Sequence, residues 1–207
     1  MIQAVTRLPY VPTTKSGTTA TPAATAAEPV GSGFHIQGFG DNLSLGSSLA
    51  TLYNSGKTAM DGASQLGGDA SQVVNGIKGV SGGDLFNGLE GLAKGAVPLA
   101  KRSAIFEGAV SVVTNGYKLA TGRENVATFG SNVVGDTLSG AAGGFGGAIA
   151  GAIGTAALGA LGVSGGLLTL GSIAVGMVGY SLTEKLFRNT NIFHSITNTV
   201  HQALSGL

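Results

Sequence analysis

Cysteine and tryptophan do not occur in this 207-residue chain. Without cysteine there is no disulfide framework, no thiolate metal ligand and no thiol nucleophile. Charge is also scarce: 10% of residues are Asp, Glu, Lys or Arg, where about 25% is ordinary for a soluble domain. The formal net charge of +1 is too small to argue for nucleic acid, which is gripped by clustered Lys and Arg. The largest basic group, Lys101-Arg102 with Lys94 nearby, reads as a solvated helix face. Aromatics make up only 6%, so the bulky side chains that fill a close-packed interior are in short supply.

Glycine is what the chain has in excess. It occurs 37 times, about 18% of residues, against roughly 7% in average proteins. Small residues let helix backbones approach each other closely. Residues 1–31 are rich in Thr, Ala and Pro, and Pro9, Pro12, Pro22 and Pro29 interrupt any long helix. They read as a flexible or extended arm. They lack the 7–15-residue apolar core of a secretory signal peptide. "GSGFHIQGFGDN" then reads as a loop, which gives an arm and loop over 1–41.

Residues 42–136 alternate short amphipathic helical patterns with glycine breaks. Leu45, Leu49 and Leu52 share one helix face. Val73, Ile77 and Val80 share another, as do Leu85, Leu89 and Leu92. Asp84 is placed to cap the helix that follows it. Ile105, Phe106, Val110, Val113 and Tyr117 continue the pattern, and Val126, Phe129, Val133 and Val134 lead out of it. No internal repeat of fixed period is present. Each interior Gly costs a helix roughly 1 kcal/mol relative to Ala. Such helices need a partner, a bilayer or each other.

Thr137 to Thr183 is a run of 47 residues without Asp, Glu, Lys, Arg or His. One membrane-crossing helix needs about 20 apolar residues, so the run holds two, with a turn at "GVSGG" through Gly162, Gly165 and Gly166. Leu138–Leu161 would form a helix about 36 Å long, and Leu167–Phe187 its return. Gly143, Gly147, Gly151, Thr155 and Gly159 recur every four residues and form a ridge of small side chains. Gly171, Val175 and Gly179 form a shorter one. In hydrocarbon, close packing of such ridges supplies much of helix association. The same run also fits the core of an all-helical globule, although buried core helices usually have shorter apolar stretches of about 10–14 residues. After this hairpin of residues 137–187, residues 188–207 form an amphipathic tail with Ile192, Phe193, Ile196, Val200 and Leu204 on one face.

Enzyme signatures do not emerge. "GAAGGFGG" has glycines at dinucleotide-like spacing but lacks an acidic residue before Glu184. His194 and His201 share a helix face two turns apart, too far to meet readily on one metal. Asp61, Asp69, Asp84, Glu90 and Glu107 are scattered and propose no acid–base pair. No catalytic, cofactor or metal site is expected, and no cofactor.

A Pro/Thr arm, glycine-diluted helices and a glycine-ridged hairpin over residues 138–187 together resemble the membrane-active DNA-delivery or pilot proteins of bacteriophage virions. The likeness is one of composition and order; it transfers no functional residue. The arm "TTKSGTTATPAATAAEP" followed by an apolar hairpin is also similar to secreted bacterial effectors, translocators and pore-forming toxins. The expected protein is all-α, non-enzymatic and membrane-inserting. Its partners are a lipid bilayer, further copies of itself through Gly143, Gly147, Gly151 and Gly159, or other membrane and virion proteins. A resident membrane scaffold is the remaining alternative.

Overall fold

A computed structural model describes residues 37–78 and 82–206. They form six helices and no strand: α1 Gln37–Gln65, α2 Gly67–Ile77, α3 Gly82–Ala120, α4 Val126–Ala160, α5 Gly165–Arg188 and α6 Asn191–Leu204. Residues 1–36, most of the expected arm and loop, lie outside the described residues.

The turns between the long helices are short and chemically specified. After α3, Gly122 takes φ +69°. Its amide donates to the Leu119 carbonyl at 3.1 Å, and the Arg123 amide to the Lys118 carbonyl at 2.8 Å. After α4 the same pattern recurs. Gly162 takes φ +84°, its amide donates to Gly159 O, and the Val163 amide to Leu158 O. Both are Schellman closures, in which a left-handed glycine satisfies the last helical carbonyls. Two restarts are capped by side chains. Asn125 Oδ1 accepts from the Thr128 amide at 2.8 Å to open α4, and Thr190 Oγ1 accepts from the Phe193 amide at 3.2 Å to open α6.

Pairwise contacts fix the topology. Gly108 meets Thr137, Gly140 meets Glu107 and Gly144 meets Ala100 and Ser103, so α3 and α4 run antiparallel. Gly143 meets Tyr180, Gly147 meets Gly176 and Gly171 meets Leu158, so α4 and α5 do too. Along α2 and α3, Gly76 meets Leu85 and Gly88 meets Asp69 and Val73. The chain therefore rises through α1 and α2, descends in α3, rises in α4 and descends in α5 and α6. α4 is the hub and touches all five other helices. It can do so because nearly every residue it buries is Gly, Ala or Ser. At one end Leu66, Ala70, Val73, Leu92, Ala96, Leu99, Ala148 and Ala152 form an apolar core. Pro98 lies inside α3 beside Leu99 of this core, and the lower half of the helix buries a different kind of side chain.

Several expectations are corrected. Residues 37–42 begin α1 and are not part of a loop. The helices before the hairpin are long, 29 residues for α1 and 39 for α3. Several of their glycines are points of close approach: a Cβ at Gly88 would lie 2.6 Å from Asp69 O. α4 starts at Val126, well before Leu138. α3 starts at Gly82, so Asp84 lies within its first turn and not at the position before it; there its carboxylate is near the positive end of the helix dipole. The leucine face of α1 points outward, with Leu45, Leu49 and Leu52 all more than half exposed, while Asn54, Ser55 and Thr58 are buried. On α3 Ile105 and Val113 are likewise exposed. In α6 Phe193 is buried against α4, whereas Ile192 is exposed.

Candidate functional site

The lower half of α3 buries Ser103, Glu107, Ser111 and Asn115, spaced four residues apart on one side of the helix. This polar seam meets polar residues of α1, α4 and α5. At its centre the Glu107 carboxylate accepts from three neutral donors. Thr51 Oγ1 donates to Oε2 at 3.0 Å, and Asn54 Nδ2 and Tyr180 OH donate to Oε1 at 3.2 and 3.0 Å. Asn54 Nδ2 also reaches Ser103 Oγ at 2.9 Å and Tyr180 OH at 3.4 Å, and Thr58 Oγ1 and Ser103 Oγ are 3.2 Å apart. Gly140 makes room for Glu107, since a Cβ there would lie 2.6 Å from its Cβ and Cγ.

One turn further down, the seam becomes ionic. Arg188 Nη2 pairs with Asp136 Oδ1 at 2.8 Å and its Nε with Glu184 Oε1 at 3.0 Å. Ser111 Oγ donates to Asp136 Oδ2 at 2.6 Å, Asn115 Nδ2 donates to Ser111 Oγ, and Lys118 pairs with Glu124 at 3.1 Å. A cleft of about 200 Å³ runs beside these groups and reaches Glu107, with Thr51, Asp136, Glu184 and Arg188 in its wall. Among the described residues no buried side-chain nitrogen or oxygen lacks a partner.

The outer surface reverses this polarity. On α5, Leu167, Leu170, Val178, Leu182 and Leu186 point away from the bundle, Leu170 and Val178 being 66% and 67% exposed. α4 and α5 are each long and apolar enough to cross a membrane. Phe86, Ile105 and Val113 on α3 add to the exposed apolar surface. Water-facing charge is confined to a few places. Lys94, one turn on from Glu90, hydrogen-bonds to it and holds its carboxyl below the usual range. Lys57 pairs with Asp61 at 3.0 Å, and Arg102 lies 4.0 Å from the same carboxylate.

The glycine ridge falls inside the chain. Gly143 and Gly147 lie against Tyr180 and Gly176 of α5, and Gly151 lies against the Ala59 carbonyl of α1. Thr155 Oγ1 donates to Ser172 Oγ at 2.7 Å, and Gly159 faces open space. In this packing the ridge from Gly143 to Thr155 lies against the chain's own helices. Gly171 meets Leu158, and Gly179 meets Ala150 and Gly146. Of the turn residues, Gly162 and Gly165 have positive φ, and Gly165 and Gly166 are the first two residues of α5. His194 and His201 are exposed on α6, and among the described residues no three His, Asp or Glu side chains are grouped to hold a metal.

The seam went unread in the sequence because its members are ordinary residues singly; the signal was their strict four-residue spacing. The lower half of the bundle joins an interior of small and polar residues to an apolar exterior, and neither family models, nor curated proteins, nor solved structures give a match to the chain.

Proposed function

We propose that this is a non-enzymatic protein that inserts the α4–α5 hairpin into a lipid bilayer and helps to form a channel, or to breach the membrane, for cargo transfer. One observation carries the reading. The longest uncharged segment of the chain forms two span-length helices, and the outer one turns its large side chains to the surroundings. A water-soluble bundle packs its large apolar residues inward and leaves charge outside. Here Leu167, Leu170, Val178, Leu182 and Leu186 are outside, and Asn54, Ser103, Glu107 and Ser139 are inside. In hydrocarbon, small and polar contacts between helices replace the hydrophobic drive.

Within this reading the glycine positions form the zipper of a transmembrane hairpin. Gly143, Gly147 and Gly154 keep α5 close, while Gly140, Gly144, Ala148 and Gly151 lie on the sides now covered by α3 and α1. Self-association in the bilayer uses those covered sides once they are free. The likeness in composition and order supports, as the first choice within this reading, a virion component that carries DNA across a host membrane. Its presence in purified phage particles would support that assignment, and export by a dedicated secretion system would favour an effector or toxin.

Val178→Asp tests the membrane step directly. Val178 contributes nothing to the core, so folding is expected to survive. A charge near the centre of a span costs about 2.5–3.5 kcal/mol on the insertion scale, or roughly 100-fold in partition. Flotation with vesicles of phosphatidylcholine and phosphatidylglycerol measures it. Equal flotation of variant and wild type rules out α5 as the inserting element.

A further inference from the structure

We infer that the bundle described here is the shielded form of the protein, and that the α4–α5 hairpin leaves α1 and α3 as a self-contained unit by opening a clasp centred on Tyr180 and Glu107. The inference rests on the membrane reading above and adds its order of events. Two independent observations carry it: where the surface charges lie along the hairpin, and where the hairpin's own polar groups find their partners.

Lys57, Asp61, Lys101 and Arg102 lie on the α1–α3 side of the bundle. Ala100 and Ser103 pack on Gly144, and Gly62 packs on Ala148. Those α4 positions lie roughly 10 and 16 Å in from Thr137 along the helix axis, well inside the uncharged part of α4, Ala148 close to its midpoint. The Lys57 and Arg102 side chains are 49% and 69% exposed. Were the whole bundle to span a bilayer with its hairpin, this belt would sit near the hydrocarbon centre, where ionised side chains are least tolerated. Water must bathe the α1–α3 side of this packing, so α1 and α3 stay behind when the hairpin goes in.

The hairpin is equipped to go alone. Thr137 Oγ1 donates to Val133 O, Ser139 to Asp136 O, Thr169 to Gly165 O and Ser172 to Leu168 O. Thr155 bonds Gly151 O and Ser172. All of these partners lie on α4 and α5. Its base is stapled by Arg188, which joins Asp136 of α4 to Glu184 of α5. Tyr180 and Asp136 both carry side-chain hydrogen bonds from the hairpin to α1 or α3. Tyr180 OH meets Glu107 and Asn54, and Asp136 meets Ser111. When Tyr180 departs, Glu107 keeps Thr51 and Asn54 as donors, and Asn54 keeps Ser103. Both parts therefore retain most of their pairing after separation, and the clasp sets the threshold for release.

The absence of native cysteine makes a lock straightforward to test. A Cβ at Gly56 of α1 would lie 3.9 Å from Ile173 Cγ2 of α5, so the two positions face each other, close to the roughly 3.5–4.5 Å Cβ–Cβ reach of a disulfide. In the Gly56→Cys/Ile173→Cys double variant, the reduced protein is expected to release dye from phosphatidylcholine–phosphatidylglycerol vesicles, and the oxidised protein to lose at least tenfold in leakage rate, recovered on adding reductant. Tyr180→Phe removes one hydrogen bond to a charged group and is expected to speed leakage on the order of tenfold. Oxidised protein that leaks as fast as reduced protein overturns the inference, as does a Tyr180→Phe rate at or below wild type. If wild-type protein and all variants leave vesicles intact, the membrane reading itself fails, a result distinct from either of those.

Discussion

Replacement of Gly151 by leucine is expected to cost the bundle about 3 kcal/mol or more. A Cβ at this position would lie 2.5 Å from the Ala59 carbonyl oxygen and 3.1 Å from its carbonyl carbon. Both atoms are backbone of α1, so neither can swing aside as a flexible side chain would. Relief requires α1 to move off α4 along their line of contact. Overpacking a close-fitted interior typically costs 1–3 kcal/mol, and here the obstacle is the main chain itself. Gly159→Leu is the matched control, because it belongs to the same four-residue series but nothing lies within 4 Å of its Cβ position. It should be neutral, or stabilising by up to about 1 kcal/mol through helix propensity. Urea unfolding followed by circular dichroism compares the two. Equal losses at both positions would show that α1 does not seat on α4 as described.

Glu107→Leu should be comparably damaging for the opposite reason, since it removes an acceptor and adds little bulk. Thr51, Asn54 and Tyr180 all donate to this carboxylate. Leaving a buried donor unsatisfied costs about 1–3 kcal/mol. Asn54 retains Ser103, and losing a desolvated carboxylate returns part of the cost, so a net loss of about 3 kcal/mol is expected. Glu107→Gln keeps an oxygen for Tyr180 and Asn54, and the Thr51 hydroxyl can rotate to accept from the new amide. Its loss should be less than half as large. If Gln and Leu were equally harmful in the same unfolding experiment, the carboxylate would not be what joins α1, α3 and α5.

These expectations also mark what could be read in the residues alone. The span-length helices were legible because 47 residues without charge leave few alternatives, and α5 falls within two residues of its expected bounds at each end. The α6 tail was legible from its apolar face. α1 and α3 were harder because glycine has two uses. It ends helices at Gly122 and Gly162, where φ is positive, and it lets helices touch at Gly62 and Gly88, where the backbone stays helical. Local sequence does not separate the two, since the deciding neighbour is far along the chain. The outward leucines of α1 have a related cause. Periodicity shows that Leu45, Leu49 and Leu52 share a side, but which side is buried depends on the surrounding medium. The seam from Ser103 to Asn115 is a periodic face of the same kind, made of residues seldom read as an interior.

The left-handed glycine after α4 has a consequence for how a hairpin could enter a membrane. Its leading edge, Leu161 to Ser164, carries no ionisable group. Its main chain is also partly pre-paired, because Leu158 and Gly159 already receive the amides of Val163 and Gly162. Peptide groups stripped of water inside lipid cost several kcal/mol each when unsatisfied. A tip folded in this way sheds less hydration at the moment of crossing than an open loop of equal length, so the part of the chain that must travel deepest is also the part already sealed for the journey.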